Sequence, residues 1–183
     1  MSLVCIAIGS NIGNRLENMR SAASILHEQE NISIVSASRC YETAPVGDIE
    51  QPWFLNAAIL LETSLRPEEL LLLCLATESH LGRVRDPLNK NGPRVIDLDI
   101  VFYDDLILET SQLVLPHPAM IDRGFVLAPL VDIATEKKLT WRHPKLNRSI
   151  LELYQDWEQV QAYDISESLV MGDYWLFLED SSS

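Results

Sequence analysis

The sequence predicts an α+β fold, a ferredoxin-like two-layer α/β sandwich with a mainly antiparallel sheet and extra C-terminal elements. Two observations carry that reading. The recognisable elements run β-α-β, β-α-β with short additions between them, an order that packs helices against a sheet. The chain has 183 residues with 47% hydrophobic content, enough for one compact domain with a core.

Leu3 to Ile8 is short and apolar and stops at Gly9-Ser10-Asn11, as a buried strand does. Asn14 with Glu17 three residues later resembles a capping box, and Leu16, Met19, Ala23 and Leu26 then recur at helical spacing. Ile32 to Tyr41 alternates and is rich in β-branched residues, which predicts one strand. Ala44-Pro45-Val46-Gly47 through Gln51-Pro52 is turn-rich, and Phe54 to Glu62 reads as the next strand. Pro67 followed by Glu68 and Glu69 opens a second helix, with acids at the positive end of its dipole, and Gly82 is its expected left-handed cap.

Residues 83–95 hold two prolines, a glycine and two asparagines without apolar periodicity, so they form a loop. Val95 to Tyr103 is the strongest strand of the chain. Leu106 to Leu108 is expected to pair with it around Asp104-Asp105. Pro116-His117-Pro118 reads as a rigid extended turn, and Arg123 to Ala134 as a helix. No repeat or linker interrupts the first ~145 residues. Residues 1–145 are therefore expected to form one domain and residues 146–183 an acidic extension packed on it.

The net charge of −13 argues against nucleic acid as a partner, because phosphate contacts need a basic surface. No apolar run approaches the ~20 residues of a membrane helix, so no membrane partner is expected. Cys5, Cys40 and Cys74 lack metal-ligand spacing and read as reduced, buried thiols. No basic stretch followed by an apolar one marks a leader. A cytoplasmic monomer acting on small molecules is the expectation. Charge is unevenly spread: eight acids and no Lys or Arg follow Arg148, while Arg83, Arg85, Lys90 and Arg94 fall within twelve residues. An anionic ligand would be drawn to that basic segment.

The sharpest chemical feature is Ile96-Asp97-Leu98-Asp99-Ile100. Residues two apart on a strand share a face, so the two carboxylates would stand about 7 Å apart while Ile96, Leu98 and Ile100 face the core. Paired carboxylates without nearby His or Cys favour magnesium. An isolated D-x-D is more often a solvated pair. Here, however, Arg94 precedes it and Arg83 and Arg85 close the loop, and carboxylates beside guanidiniums are what phosphoryl transfer requires. Lys90 alone reads as a solvated charge. No G-x-x-x-x-G-K-[ST] sequence is present, which excludes a P-loop kinase. Gly9-Ser10-Asn11-Ile12-Gly13 is a weak phosphate-loop signal and better read as a turn and helix cap. A different D-x-D transferase and a non-catalytic ligand-binding module are the rival readings of these residues alone.

A longer set of stretches narrows them. Ala7-Ile8-Gly9-Ser10-Asn11, Tyr41-Glu42-Thr43-Ala44-Pro45-Val46-Gly47, Gln51-Pro52 with Phe54-Leu55-Asn56-Ala57-Ala58, and Glu78 with Gly82-Arg83-Val84-Arg85 occur in order. Gly92-Pro93-Arg94-Val95-Ile96-Asp97-Leu98-Asp99-Ile100, Pro116-His117-Pro118-Ala119-Met120 and Arg123-Gly124-Phe125-Val126-Leu127 follow. In these stretches the chain resembles the 6-hydroxymethyl-7,8-dihydropterin pyrophosphokinase family of folate biosynthesis. The resemblance covers roughly residues 3–135.

The resemblance implies transfer of pyrophosphate from ATP to the pterin hydroxymethyl group, giving AMP and the dihydropterin pyrophosphate. It implies two magnesium ions held by Asp97 and Asp99, with Arg83 and Arg94 as further catalytic residues. Glu78, Arg83, Arg85, Arg94, Ile100, His117 and Arg123 would serve ATP. Thr43, Ala44, Val46, Phe54, Asn56, Asp97 and Phe125 would serve the pterin. That second set makes independent sense, since Phe54 and Asn56 share one strand face and a flat heterocycle wants an aromatic surface beside an amide. The loop at residues 84–93 would act as a lid. Asn91 and Leu75 depart from the family's usual aromatic and Gln, and the loop between Arg85 and Arg94 is one residue longer. The tail from Val170 to Leu178 has no implied role beyond an added strand or a partly mobile segment.

Overall fold

A computed structural model describes residues 1–45, 50–85, 92–160 and 175–176. Its central strand, β1 (Ser2–Ser10), leads into α1 (Arg15–His27), whose first turn is capped where Asn14 Oδ1 accepts the Glu17 N–H at 3.3 Å. β2 (Ile32–Ala37) and β3 (Tyr41–Thr43) run along one edge of β4 (Phe54–Thr63). α2 (Pro67–His80) follows, with the Arg66 N–H bound to Glu69 Oε2 at 2.8 Å. β5 (Asp97–Tyr103) then returns to pair with β1.

The sheet order is β2-β4-β1-β5, and all of its pairings are antiparallel. This is the ferredoxin-like arrangement, built from two split β-α-β units. Val4, Ile6 and Ile8 of β1 face α1 and α2, where Met19, Ala22, Ala23, Leu26, Leu70 and Cys74 are buried against them. Each fully buried Ile or Leu contributes about 1.5–3 kcal/mol, so this layer anchors the sheet.

On the opposite face lie the extra C-terminal elements. A two-stranded hairpin, β6 (Leu108–Glu109) and β7 (Val114–Leu115), precedes a 3-10 turn at Met120–Asp122 and α3 (Gly124–Glu136). A second hairpin, β8 (Arg142–His143) and β9 (Arg148–Ser149), leads into α4 (Ile150–Val160). Leu127, Leu130 and Ile133 of α3 and Ile150 and Leu153 of α4 bury Cys5, Ala58, Leu60 and Phe102 of the sheet. α3 covers only part of that face. Cys5, Cys40 and Cys74 are free thiols, and all three are buried.

Two expected elements differ. The strand anticipated over Ile32–Tyr41 is interrupted at Ser38. There the Ser38 N–H donates to the Ala58 carbonyl at 2.9 Å, and the Ser38 side chain accepts the Ala58 N–H at 2.8 Å, taking a bond that backbone would otherwise make. The pairing with β4 shifts by one residue across this bulge, from Ala37 opposite Ile59 to Tyr41 opposite Asn56. The hairpin expected around Asp104-Asp105 does not form: β6 pairs with β7. Asp104 instead adopts φ +45° and ties the end of β5 to Leu3, through the Leu3 N–H on Asp104 Oδ1 at 2.7 Å. β5 itself begins at Asp97, two residues later than expected.

Of the tail, only Trp175 and Leu176 are among the described residues. Trp175 is buried and its indole N–H donates to the Ser38 carbonyl at 2.8 Å. Val46 and the loop residues 86–91, Lys90 and Asn91 included, lie outside the described residues, as does most of the anticipated lid. Among the described residues no helix is long and apolar enough to cross a membrane.

α2 ends in a Schellman cap. The Gly82 N–H donates to the Ser79 carbonyl at 3.1 Å and the Arg83 N–H to the Glu78 carbonyl at 2.9 Å, with Gly82 at φ +91°. The cap turns the chain so that Arg83 leaves the helix beside Glu78. Gly82→Ala is expected to cost about 1 kcal/mol in urea unfolding, because only glycine adopts this conformation without strain.

Candidate active site

The floor of the site is a row of residues across three strands. Gly9 of β1 lies opposite Asn56 of β4 on one side and Asp97 of β5 on the other. One step along, Ala7 lies between Ala58 and Asp99. Cross-strand partners share a face, so both aspartates, Asn56 and the two small residues of β1 point the same way. A Cβ at Gly9 would sit 2.6 Å from Asn56 Oδ1, so glycine is required for that amide to lie over β1. The absence of bulk at Gly9 and Ala7 opens a cleft of about 490 Å³ between the exposed part of the sheet and the start of α3.

One end of this cleft is suited to a flat ring. Thr43, Ala44, Phe54, Asn56 and Phe125 line it. Asn56 Nδ2 donates to Thr43 Oγ1 at 2.7 Å, and both residues are buried, so the amide orientation is set by β3. The Ser38 bulge puts Thr43 opposite Phe54 in the first place. Gln51 also lines the cleft.

The other end is charged. Arg83, Arg85, Arg94, Asp97, Asp99, His117 and Arg123 line it. Asp97 accepts from both arginines: its Oδ1 from Arg83 and its Oδ2 from Arg94 Nη1 at 3.1 Å. Behind them stands Glu78, 1% exposed, which does not line the cleft. Its Oε1 accepts from Arg83 Nη1 at 2.6 Å and from the Leu98 N–H at 2.9 Å, and its Oε2 from Arg85 Nη2 at 2.5 Å. Glu78 therefore contacts two arginines and the D-x-D strand rather than the cleft. Burial raises its pKa, opposed by the Leu98 amide and Arg83.

Asp99 is held above the usual carboxylate range by burial and then by the negative charge of Asp97. Burial pushes the His117 imidazole below its ordinary value, with Asp99 opposing. His117 Nδ1 accepts the Ala119 N–H at 3.3 Å, so the neutral ring carries its proton on Nε2. The Arg94 guanidinium lies over the Phe54 ring at 5.3 Å, and that of Arg123 over Phe125 at 5.7 Å. Each arginine thus bridges the two ends of the cleft.

Two carboxylates on one face are the available metal donors, and among the described residues no cluster of three or more His, Cys, Asp or Glu forms a cage. That set fits magnesium, a hard cation that binds through one or two carboxylates and takes other ligands from water and substrate phosphates.

Of the expected residues, Thr43, Ala44, Phe54, Asn56, Arg83, Arg85, Arg94, Asp97, Asp99, His117, Arg123 and Phe125 line the cleft, Glu78 and Ile100 do not, and Val46 lies outside the described residues. Ile100 is buried in the core between sheet and helices, as its position in the D-x-D alternation requires, so its side chain does not reach the cleft. Leu75 is half-buried on α2 and likewise does not line it. One organising residue reads in the sequence only as part of a turn. Asn11 is buried, and its Nδ2 donates to Gln51 Oε1 at 3.1 Å and to the Pro52 carbonyl at 3.0 Å. Its Oδ1 accepts the Arg94 N–H at 2.7 Å, and its own N–H donates to the Arg94 carbonyl at 3.1 Å. It clamps the arginine loop to the segment before Phe54. The signal available was an Asn at the end of a buried strand, where a side-chain amide must find partners.

Comparison with known proteins gives the family of the chain. Residues 5–135 match the family model described as 7,8-dihydro-6-hydroxymethylpterin-pyrophosphokinase (HPPK). The chain is 45% identical over 141 residues to the 2-amino-4-hydroxy-6-hydroxymethyldihydropteridine pyrophosphokinase of Bacillus subtilis, covering 76% of this chain and 83% of that one. It is 42% identical over 136 residues to the enzyme of the same name from Methylorubrum extorquens, covering 74% and 85%. Among solved structures it resembles the HPPK-DHPS of Plasmodium falciparum, with a TM-score of 0.66, 18% identity, and coverage of 92% of this chain but 46% of that bifunctional one. This last likeness is one of fold. The chain belongs to the 7,8-dihydro-6-hydroxymethylpterin-pyrophosphokinase family.

Proposed function

We propose that this chain transfers the terminal pyrophosphoryl group of ATP to the hydroxymethyl arm of 6-hydroxymethyl-7,8-dihydropterin. The observation that carries the reading is that one sheet face joins a flat-ring pocket to a carboxylate–guanidinium pocket, with only Gly9 and Ala7 between them. The pterin ring lies against Phe54 and Phe125, and Thr43 and Asn56 read its polar edge. Val46, outside the described residues, is expected to add backbone contacts. The hydroxymethyl arm then points along the row toward Asp97.

The pterin hydroxyl oxygen forms a bond to the β-phosphorus of ATP. The bond from that phosphorus to the α–β bridging oxygen breaks, AMP leaves with the oxygen, and the hydroxyl proton passes to solvent. Positioning and charge neutralisation supply the catalysis. Arg83 and Arg94, held ready by Asp97, exchange that carboxylate for phosphate oxygens. Arg85, His117 and Arg123 bind the remaining phosphate charge, and the His117 Nε2–H serves as a neutral donor. Asp97 and Asp99 would hold magnesium, two ions in the family's pattern, which would further neutralise the phosphates.

The direct test is nucleotide analysis after incubation with magnesium-ATP, with and without the pterin. Pterin-dependent AMP without ADP is expected. ADP formation would redirect the attack to the γ-phosphorus, and no turnover by folded protein would remove the pterin as acceptor. Among variants, Arg94→Ala is expected to lose on the order of 10³-fold in turnover, as a transition-state arginine does. Asp97→Ala and Asp99→Ala are expected to abolish magnesium-dependent activity. Near-normal turnover in any of the three would remove that residue from the mechanism.

A further inference from the structure

α4 has no part in the chemistry described above, yet it meets the active site from behind. It packs against α3 and against the 3-10 turn at Met120–Asp122. The contact is centred on Trp157 and Gly124. A Cβ built at Gly124 would lie 2.2–2.4 Å from three atoms of the Trp157 ring, closer than any methyl group can approach. The indole therefore rests directly on the backbone of Gly124. Tyr154 stacks against the same indole, with ring centroids 6.2 Å apart and planes at 16°. The indole N–H is buried and finds no hydrogen-bond partner among the described residues, so shape rather than a polar bond holds the ring.

Gly124 is the first residue of α3, and its two neighbours are Arg123 and Phe125. Both line the cleft, one at the charged end and one at the flat-ring end, with the guanidinium 5.7 Å from the Phe125 ring centroid. Arg123 is the helix N-cap but makes no side-chain capping bond. Its backbone carbonyl accepts from Val126 at 2.9 Å and from Leu127 at 3.0 Å, so its direction follows the first turn of the helix. Whatever sets the position of Gly124 therefore sets both side chains together.

We propose that Trp157 is a positioning residue for the reaction, seating the first turn of α3 so that Arg123 and Phe125 face the two substrates at once. The inference rests on the proposed assignment of those two residues to ATP and pterin. It gives part of the C-terminal extension a role in substrate binding.

A double-mutant cycle tests it, with steady-state kinetics and thermal melting on Gly124→Ala, Trp157→Leu and the two combined. Each single variant is expected to raise the KM for ATP and for the pterin about fivefold or more, with kcat changed less than about threefold, since sub-ångström misplacement acts on binding geometry. Once the indole is gone the added methyl meets no clash, so Gly124→Ala should then cost less than about twofold in the Trp157→Leu background. A role confined to stability would lower the melting temperature and leave both KM values unmoved, which would overturn the proposal. So would a Gly124→Ala penalty of equal size in both backgrounds, or a Gly124→Ala protein unable to fold. Should Trp157→Leu not fold, Trp157→Phe carries the same cycle. Failure of the wild-type protein to form AMP would instead count against the assigned reaction, leaving this contact to be read by separate titrations of ATP and pterin.

Discussion

Two arginines and a backbone amide converge on the carboxylate of Glu78, and the charged half of the cleft depends on that convergence. A carboxylate this deeply buried is tolerable only when its charge is matched. Arg83 matches it from the helix cap, Arg85 from the loop, and the Leu98 amide from the centre of the D-x-D strand. One anion thus ties the end of α2 to β5 and fixes the distance between the arginines and the aspartates. Removing a partner from a buried pair of this kind costs about 3–5 kcal/mol, far more than an exposed ion pair contributes. That difference makes Glu78 a structural keystone for the charges that face the ligand.

The second constraint is spatial. A five-stranded sheet with both faces covered would have no room for two substrates, yet here α3 begins only where the cleft ends. Gly9 and Ala7 keep the uncovered floor low, and the Ser38 bulge shifts β3 so that Thr43 meets Phe54 and supports Asn56. Trp175 hydrogen-bonds to the same bulge residue, and Trp157 sits beneath the start of α3. Two indoles from the C-terminal extension therefore pack against elements that carry cleft residues, Trp175 at the Ser38 bulge and Trp157 at Gly124. Packing and active-site geometry are one problem in this molecule.

Much of this was readable in the chain, for identifiable reasons. The placement of Asp97 and Asp99 on one face follows from the period of a strand, and the start of α1 and the end of α2 follow from Asn14 and Gly82. Those are local rules. The break at Ser38 was not legible, because it depends on a hydroxyl meeting the Ala58 amide from a distant strand. Nor was the Asn11 clamp, whose partners Gln51, Pro52 and Arg94 lie 40 or more residues away in sequence. The pairing of β6 with β7 was masked by an apolar run that also suited β5. Ile100 illustrates the difference between the two kinds of reading: strand alternation sends its side chain to the core, where it lies, whereas the resemblance alone assigned it to the nucleotide.

The central claim is that Glu78 organises the charged half of the cleft without touching substrate. Replacing it with Gln keeps the shape and an acceptor for the Leu98 amide while removing the charge that holds Arg83 and Arg85. The decisive measurement is calorimetric titration of Glu78→Gln with the pterin and with a magnesium-bound, non-hydrolysable ATP analogue, beside its steady-state kinetics. The account predicts pterin affinity within about twofold of wild type and a loss of about tenfold or more in kcat/KM for ATP, because only the arginine geometry is disturbed. Wild-type ATP kinetics in a folded Glu78→Gln protein would contradict it.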